Sequence, residues 1–290
     1  MTIPPQTVLI VGSLHYDIMV VADHLPRRDE TAVGSSWYPK FGGKGGNQAV
    51  AVVRAGAVSR MFGAVGNDAF GQFLRDHLRA GGIDDAHVAT LPATASGISV
   101  AITDTKGDYA ATIVSGANLC LDLAGLALAG VWQDVGVLIL QNEVPDAVNF
   151  AAATQARARG IKTLLNAAPA RGLSADLIAL IDILVVNAVE AEMMGAARVD
   201  SLPRAAAAAA QLAGQFETVI VTAGSLGLAA CGKDHPMFSC PAEVVSVVSS
   251  HGAGDAFIGT LAASLVRGMD LATACQTASH AAAVHVSTKT

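Results

Sequence analysis

Charge is scarce in this 290-residue chain: only 14% of the residues are Asp, Glu, Lys or Arg, and 24 acids against 18 bases leave a net charge of -6. No basic patch is available to neutralise a nucleic-acid backbone and no polybasic arm to hold an anionic membrane, so small-molecule chemistry is the expectation. Aromatic residues are also few, at 4%. The four cysteines, Cys120, Cys231, Cys240 and Cys275, show no C-x-x-C spacing. That argues against a zinc site and a disulfide framework, and leaves them as reduced, mostly buried thiols. The opening "MTIPPQTVLIVGS" has no basic region and only a short apolar stretch, so no signal peptide is expected. Longer uncharged tracts such as 271–288 are interrupted by Gln276, His280, His285 and several Thr, so no membrane span is expected either. A soluble, cytoplasmic protein is the corresponding reading.

Apolar residues, by contrast, make up 52% of the chain, enough for one large core. They come in short runs that resemble buried parallel strands: "VLIVG" at 8–12, "VGVLIL" at 135–140, "TLLN" at 163–166, "DILVVN" at 182–187 and "TVIVT" at 218–222. Alanine-rich stretches of helical length lie between them, including "DAVNFAAATQARARG" and "PRAAAAAAQLAGQ". Alternation of this kind predicts a doubly wound, mostly parallel α/β sheet flanked by helices, with ligands beyond the carboxyl ends of the strands. Two β-branched segments, at about 13–41 and 96–115, break the rhythm. The second carries a "TKGD" turn suited to a hairpin. They predict a small antiparallel sheet that forms a lid over the cleft of a single domain spanning 1–290.

Two glycine clusters carry the chemistry. In "SSHGAGDAFIG" (249–259), three small residues, Gly252, Ala253 and Gly254, stand directly before Asp255 at the start of an apolar, helix-like run. The amides of such a turn attract an anion. A carboxylate beside them suits a base that takes a proton from whatever attacks that anion. In "FGGKGGNQAVAVVRAG" (41–56), Lys44 is followed by Gly rather than Ser or Thr, which excludes a Walker A loop, and no G-x-G-x-x-G marks a dinucleotide fold. Glycines there let the backbone approach a ligand, and Lys44 and Asn47 are placed to bond hydroxyls or a phosphate.

The pair of clusters, with "GSLHYD" (12–17), "LNAAPAR" (165–171), "VNAVEAEMMG" (186–195) and "VTAGSLG" (221–227) between them in order, resembles the ribokinase-like sugar kinases, also called the phosphofructokinase B family. The resemblance runs over nearly the whole chain. It implies phosphoryl transfer from ATP, with magnesium, to the hydroxymethyl group of a small sugar, ribose or a related pentose first and a nucleoside second; a sensor without turnover is the non-enzymatic alternative. Asp255 would be the base, with the Gly252, Ala253 and Gly254 amides as anion hole. Sugar contacts would come from Asp17, His15, Gly42, Gly43, Lys44, Asn47 and Glu143. Asn187 and Glu190 would organise magnesium, and Asn187, Thr222, Gly224, Ser225, Gly227 and His280 would line the nucleotide.

The chain departs from that family in three places. Ser249, Ser250 and His251 stand where an Asp-Thr pair contributes to a monovalent-cation site, which puts potassium activation in question. His15 replaces an Asn of an N-x-D pair, which bears on ribose specificity. After "AAAVHVSTKT", relatives continue into a further loop and helix. A nucleoside would need stacking surface in the lid, for which Trp37 and Tyr38 are candidates; a sugar phosphate would need more cations than Lys44 and the Arg27/Arg28 pair supply. A homodimer through the lid is also implied by the resemblance.

Overall fold

The computed structural model describes residues 7–106, 108–233 and 235–288. Among them the chain forms a nine-stranded and a four-stranded sheet. The thirteen strands are β1 (Thr7–Val11), β2 (His15–Ala22), β3 (Gly34–Gly42), β4 (Val58–Gly66), β5 (Asp84–Leu91), β6 (Ile98–Asp104), β7 (Tyr109–Val114), β8 (Val135–Gln141), β9 (Lys162–Asn166), β10 (Ile183–Asn187), β11 (Thr218–Thr222), β12 (Leu228–Gly232) and β13 (Phe238–Cys240). The helices are α1 (Lys44–Arg54), α2 (Ala69–Ala80), α3 (Asp146–Arg157), α4 (Ala175–Ile178), α5 (Ala188–Met193), α6 (Leu202–Leu212), α7 (Ala253–Val266) and α8 (Leu271–Ser287).

The large sheet runs β13-β12-β11-β10-β9-β8-β1-β4-β5, and its seven strands from β11 to β5 are parallel. All five apolar runs read as strands lie in this parallel set. They are buried on both faces, which is why they are continuously apolar rather than alternating. One face packs on a layer that includes Val148, Ala152, Ala205 and Leu212 of α3 and α6. The other packs on Val52, Leu74, Phe257, Leu261 and Ala274 of α1, α2, α7 and α8. No helix among the described residues is long and apolar enough to cross a membrane.

The small sheet has the order β3-β2-β6-β7 and uses both expected lid segments. It is mixed rather than antiparallel: β2 pairs with β3 antiparallel but with β6 parallel, because the chain passes through α1, β4, α2 and β5 between them. The β6–β7 hairpin forms, although Gly107 of its turn lies outside the described residues. The thiols are unpaired as expected, yet only Cys275 is buried. Cys231 and Cys240 sit half-covered on the antiparallel edge pair β12–β13, and Cys120 is exposed after a surface turn.

Candidate active site

Helix α7 begins at Ala253 behind Gly252, whose φ of 81 is the left-handed conformation that only glycine adopts without strain. The turn before it is held by the last turn of α8. The Val248 and Ser249 amides donate to the Val286 carbonyl at 2.7 and 3.2 Å, and His285 Nε2 donates to the His251 carbonyl at 2.9 Å. The first-turn amides of α7 lack helical acceptors, and Gly252, Gly254 and Asp255 line a cleft of about 180 Å³ with Lys44, Asn166, Asn187, Glu190 and Thr222.

Asp255 lies in the first turn of α7 and is almost fully buried. Its Oδ1 accepts from Gln48 Nε2 at 3.0 Å, and Oδ2 has a longer contact with Asn47 Nδ2 at 3.4 Å. Burial pushes its pKa up to about 6, opposed by the Lys44 charge and the Gln48 hydrogen bond, with Glu143 raising it further. A carboxyl group at that value is mostly ionised at neutral pH yet still basic enough to accept a proton.

The second glycine cluster forms the start of α1, with Gly43 as its N-cap and Gly42 against the Asp17 carboxylate. No acid occupies the first turn of α1. Glu143, two residues beyond β8, supplies that charge instead: its Oε2 accepts from the Lys44 amide at 2.9 Å and from Ser13 Oγ at 2.5 Å. His15 is buried, with Nδ1 3.9 Å from Glu143 Oε2 and Nε2 without a partner among the described residues.

Asp17 is the third residue of β2, within the lid sheet. Ser99 Oγ of β6 donates to its Oδ1 at 2.7 Å; burial raises its pKa, with Ser99 and then His15, His251 and Lys40 opposing. Strand register puts Lys40, Tyr38, Tyr109 and Ile113 on the Asp17 face of the lid and Trp37 on the other. Burial and Lys40 lower the pKa of His251, while Asp17 raises it, so His251, at the mouth of the α7 turn, senses the lid charges.

Asn187 and Glu190 form a capping box on α5, with Asn187 Oδ1 accepting from the Glu190 amide at 2.8 Å and Glu190 Oε2 from the Asn187 amide at 2.9 Å. Both also face the cleft, and burial raises the pKa of Glu190 despite the Asn187 bond and Lys44. Thr222 ends β11 on the cleft wall, and Gly224, Ser225 and Gly227 make the turn after it. His280, on α8, instead bonds through Nδ1 to the Glu243 carboxylate at 2.8 Å on the surface.

Sequence reasoning did not single out Ser13, Lys40, Gln48, Ser99 or Asn166. Gln48 and Asn166 lay inside the quoted motifs "FGGKGGNQAV" and "LNAAPAR", each a buried polar residue bordering an apolar run, and that was the signal available.

Comparison with known proteins adds an independent line. The family model described as pfkB family carbohydrate kinase matches residues 5–290. The chain is 35% identical over 259 residues to the ribokinase of Mus musculus, covering 88% of this chain and 80% of that protein. It is 30% identical over 285 residues to the deoxyribokinase of Salmonella typhi, covering 97% and 93%. The structure of Arabidopsis thaliana ribokinase complexed with ribose and ATP superposes with a TM-score of 0.90 at 25% identity, over 100% of this chain and 94% of that one.

Proposed function

The chain belongs to the pfkB family of carbohydrate kinases, and from that premise we propose that it transfers the γ-phosphoryl group of ATP to the hydroxymethyl group of ribose or a closely related pentose. At the coarser level it is an ATP-dependent sugar kinase, a phosphotransferase with an alcohol acceptor. The observation that carries the transfer chemistry is the buried Asp255 carboxylate in the first turn of α7, beside amides that have no helical acceptor, and the choice of a pentose is supported by the ribokinase and deoxyribokinase relatives. A base and an anion hole in one turn are what a positioning-dominated phosphoryl transfer requires.

In this reading Asp17, from the lid, and Glu143, from the sheet, are two carboxylates suited to vicinal hydroxyls, with His15, Gly42, Gly43, Lys44 and Asn47 around the same sugar. Asp255 accepts the hydroxymethyl proton as the oxygen attacks. The Gly252 and Gly254 backbone and Lys44, which line the cleft, face the phosphoryl oxygens, while the Ala253 amide, placed in the anion hole by the family resemblance, donates to the Ser250 carbonyl at 3.4 Å until phosphate competes for it. Thr222, Gly224, Ser225 and Gly227 border the nucleotide beyond, and His280 contributes only if its Glu243 partner releases it.

The donor set fits magnesium. Among the described residues no three His, Cys, Asp or Glu side chains converge as a full metal cage, and a cation that keeps its waters and takes phosphate ligands needs only one or two protein oxygens. Asn187 and Glu190 would hold it on the cleft wall, where its charge would neutralise the phosphate oxygens. Ser249, Ser250 and His251 bring no carboxylate to the turn, so turnover independent of potassium is expected. The cytoplasm is the proposed location and a homodimer through the lid the proposed assembly.

A nucleoside acceptor is the second reading, and exposed Tyr38 on the Asp17 face of the lid favours it by offering a stacking ring. Turnover of ATP with magnesium against pentoses, hexoses and nucleosides, each with and without potassium, separates the two. We expect the pentoses to be phosphorylated, and Asp255→Asn to reduce kcat by orders of magnitude while ATP binding persists. Undiminished turnover in Asp255→Asn would remove Asp255 as base. Binding of ATP and sugar with no turnover in the unmodified protein would make it a sensor.

A further inference from the structure

The two oxygens of the Asp255 carboxylate have unequal surroundings. Oδ1 is held by Gln48 Nε2 at 3.0 Å, whereas among the described residues Oδ2 has only the longer Asn47 contact at 3.4 Å. The same Gln48 nitrogen also donates to Asn166 Oδ1 at 3.2 Å, and Asn166 Nδ2 reaches the Val185 carbonyl of β10 at 3.4 Å. Two amide hydrogens thus meet two acceptor oxygens. Rotating the amide by half a turn would place Gln48 Oε1 against both, so its orientation is fixed. Gln48 has no solvent exposure, and its Oε1 finds no partner among the described residues. An unpaired buried amide oxygen is unfavourable, and a residue that only filled the α1–α7 interface would be better apolar.

We propose that Gln48 is a positioning residue for the base: anchored to the sheet through Asn166, it fixes the plane of the Asp255 carboxylate and leaves Oδ2 as the oxygen that faces the acceptor hydroxyl. The inference rests on the reading of Asp255 as base. In the step it serves, the O–H bond of the hydroxymethyl group breaks as its oxygen bonds to the γ-phosphorus, the proton passes to Asp255 Oδ2, and the bond to the β-phosphate oxygen breaks to release ADP. The charged and titratable groups that face Asp255 are Lys44, from α1, and Glu143, from the β8–α3 connection. Gln48 donates to the ionised form, so its removal raises the Asp255 pKa further.

The test is the pH dependence of kcat and kcat/KM in Gln48→Met, with Asp255→Asn as reference. We expect kcat to fall about 10- to 100-fold, the acid limb to move to higher pH, and the KM for ATP to stay near that of the unmodified enzyme. An acid limb and kcat that match the unmodified enzyme, with Asp255→Asn inactive, would reduce Gln48 to packing and overturn the proposal. An active Asp255→Asn would instead remove the base itself. If Gln48→Met fails to fold, Asn166→Ala frees the second amide hydrogen. A fall in kcat with the KM for ATP near that of the unmodified enzyme supports the proposal, and an unchanged kcat overturns it.

Discussion

Asp255 sets activity against stability. Its carboxyl group titrates at about 6 in the folded chain against an ordinary value of 3.8. Between those values the folded state holds a proton that the unfolded state has released, so stability is fully present below the lower value and is lost as pH rises through the upper. Ionising this buried acid at neutral pH therefore costs up to about 3 kcal/mol. We expect Asp255→Asn to raise the thermal midpoint at pH 7.5 and to lose that advantage by pH 4; equal midpoints at both pH values would mean that the carboxylate is better solvated than its burial implies. The same value puts the acid limb of kcat/KM near pH 6 in the unmodified enzyme. Asp255, Lys44 and Asn47 were legible in the sequence because glycines surround them, and clustered glycine signals backbone close to a ligand. Gln48, Asn166 and Ser99 were not, because a polar residue bordering an apolar run shows its partner only when another strand or helix is brought against it. The cysteines were misjudged for a related reason, since chain position says nothing of which thiol lands on a sheet edge.

Helices α1 and α7 cross so closely that one glycine decides their separation. A Cβ built on Gly259 would stand 2.5 Å from Ala51 Cβ, 2.6 Å from the Gln48 carbonyl oxygen and 2.8 Å from the Val52 amide. Both backbone atoms belong to α1, which cannot yield without moving as a whole. This is also the crossing that brings Gln48 to Asp255. We expect Gly259→Ala to lose about 1–3 kcal/mol of stability, the range for overpacked cores, and to lose kcat beyond what its folded fraction explains. Urea unfolding followed by turnover under folding conditions checks both, and a variant with native stability and rate would show that the crossing relaxes freely. The five central strands were readable as continuous apolar runs. Strand β4 was not, because "VSRMFGAVG" carries Arg60, which pairs with Asp84 Oδ2 of β5 at 2.7 Å, and two glycines that dilute the apolar signal. The parallel β2–β6 pairing escaped as well, since strands joined through α1, β4, α2 and β5 leave no turn to announce it.

In the proposed mechanism the large sheet is the floor of the site and the small sheet its cover. Asp255, Glu143 and Asn187 belong to the floor, while Asp17 is carried by the cover, so a sugar held by both couples the sheets. All six residues of β7 are exposed, and Tyr38, Tyr109 and Ile113 are large exposed side chains on the Asp17 face. Large exposed apolar side chains at both edges of a four-stranded sheet, on a face that also carries Asp17 and Lys40, are poorly stabilised until something covers them. Either the sugar draws the lid onto the floor or a second lid packs against it, and the two have different signatures. Closure on substrate predicts a further slowing of amide exchange in β6 and β7 when sugar is added, at any protein concentration. Pairing predicts protection without sugar that weakens on dilution, together with a sedimenting mass of two chains that Ile113→Asp reduces to one. We expect both, because Ser99 of β6 holds Asp17 from inside the lid while Ile113 projects beside it from the edge. A lid equally exchanged with and without sugar, in a chain that sediments as a monomer, would leave Asp17 without a means of reaching the substrate and would shift the sugar contacts to the floor alone.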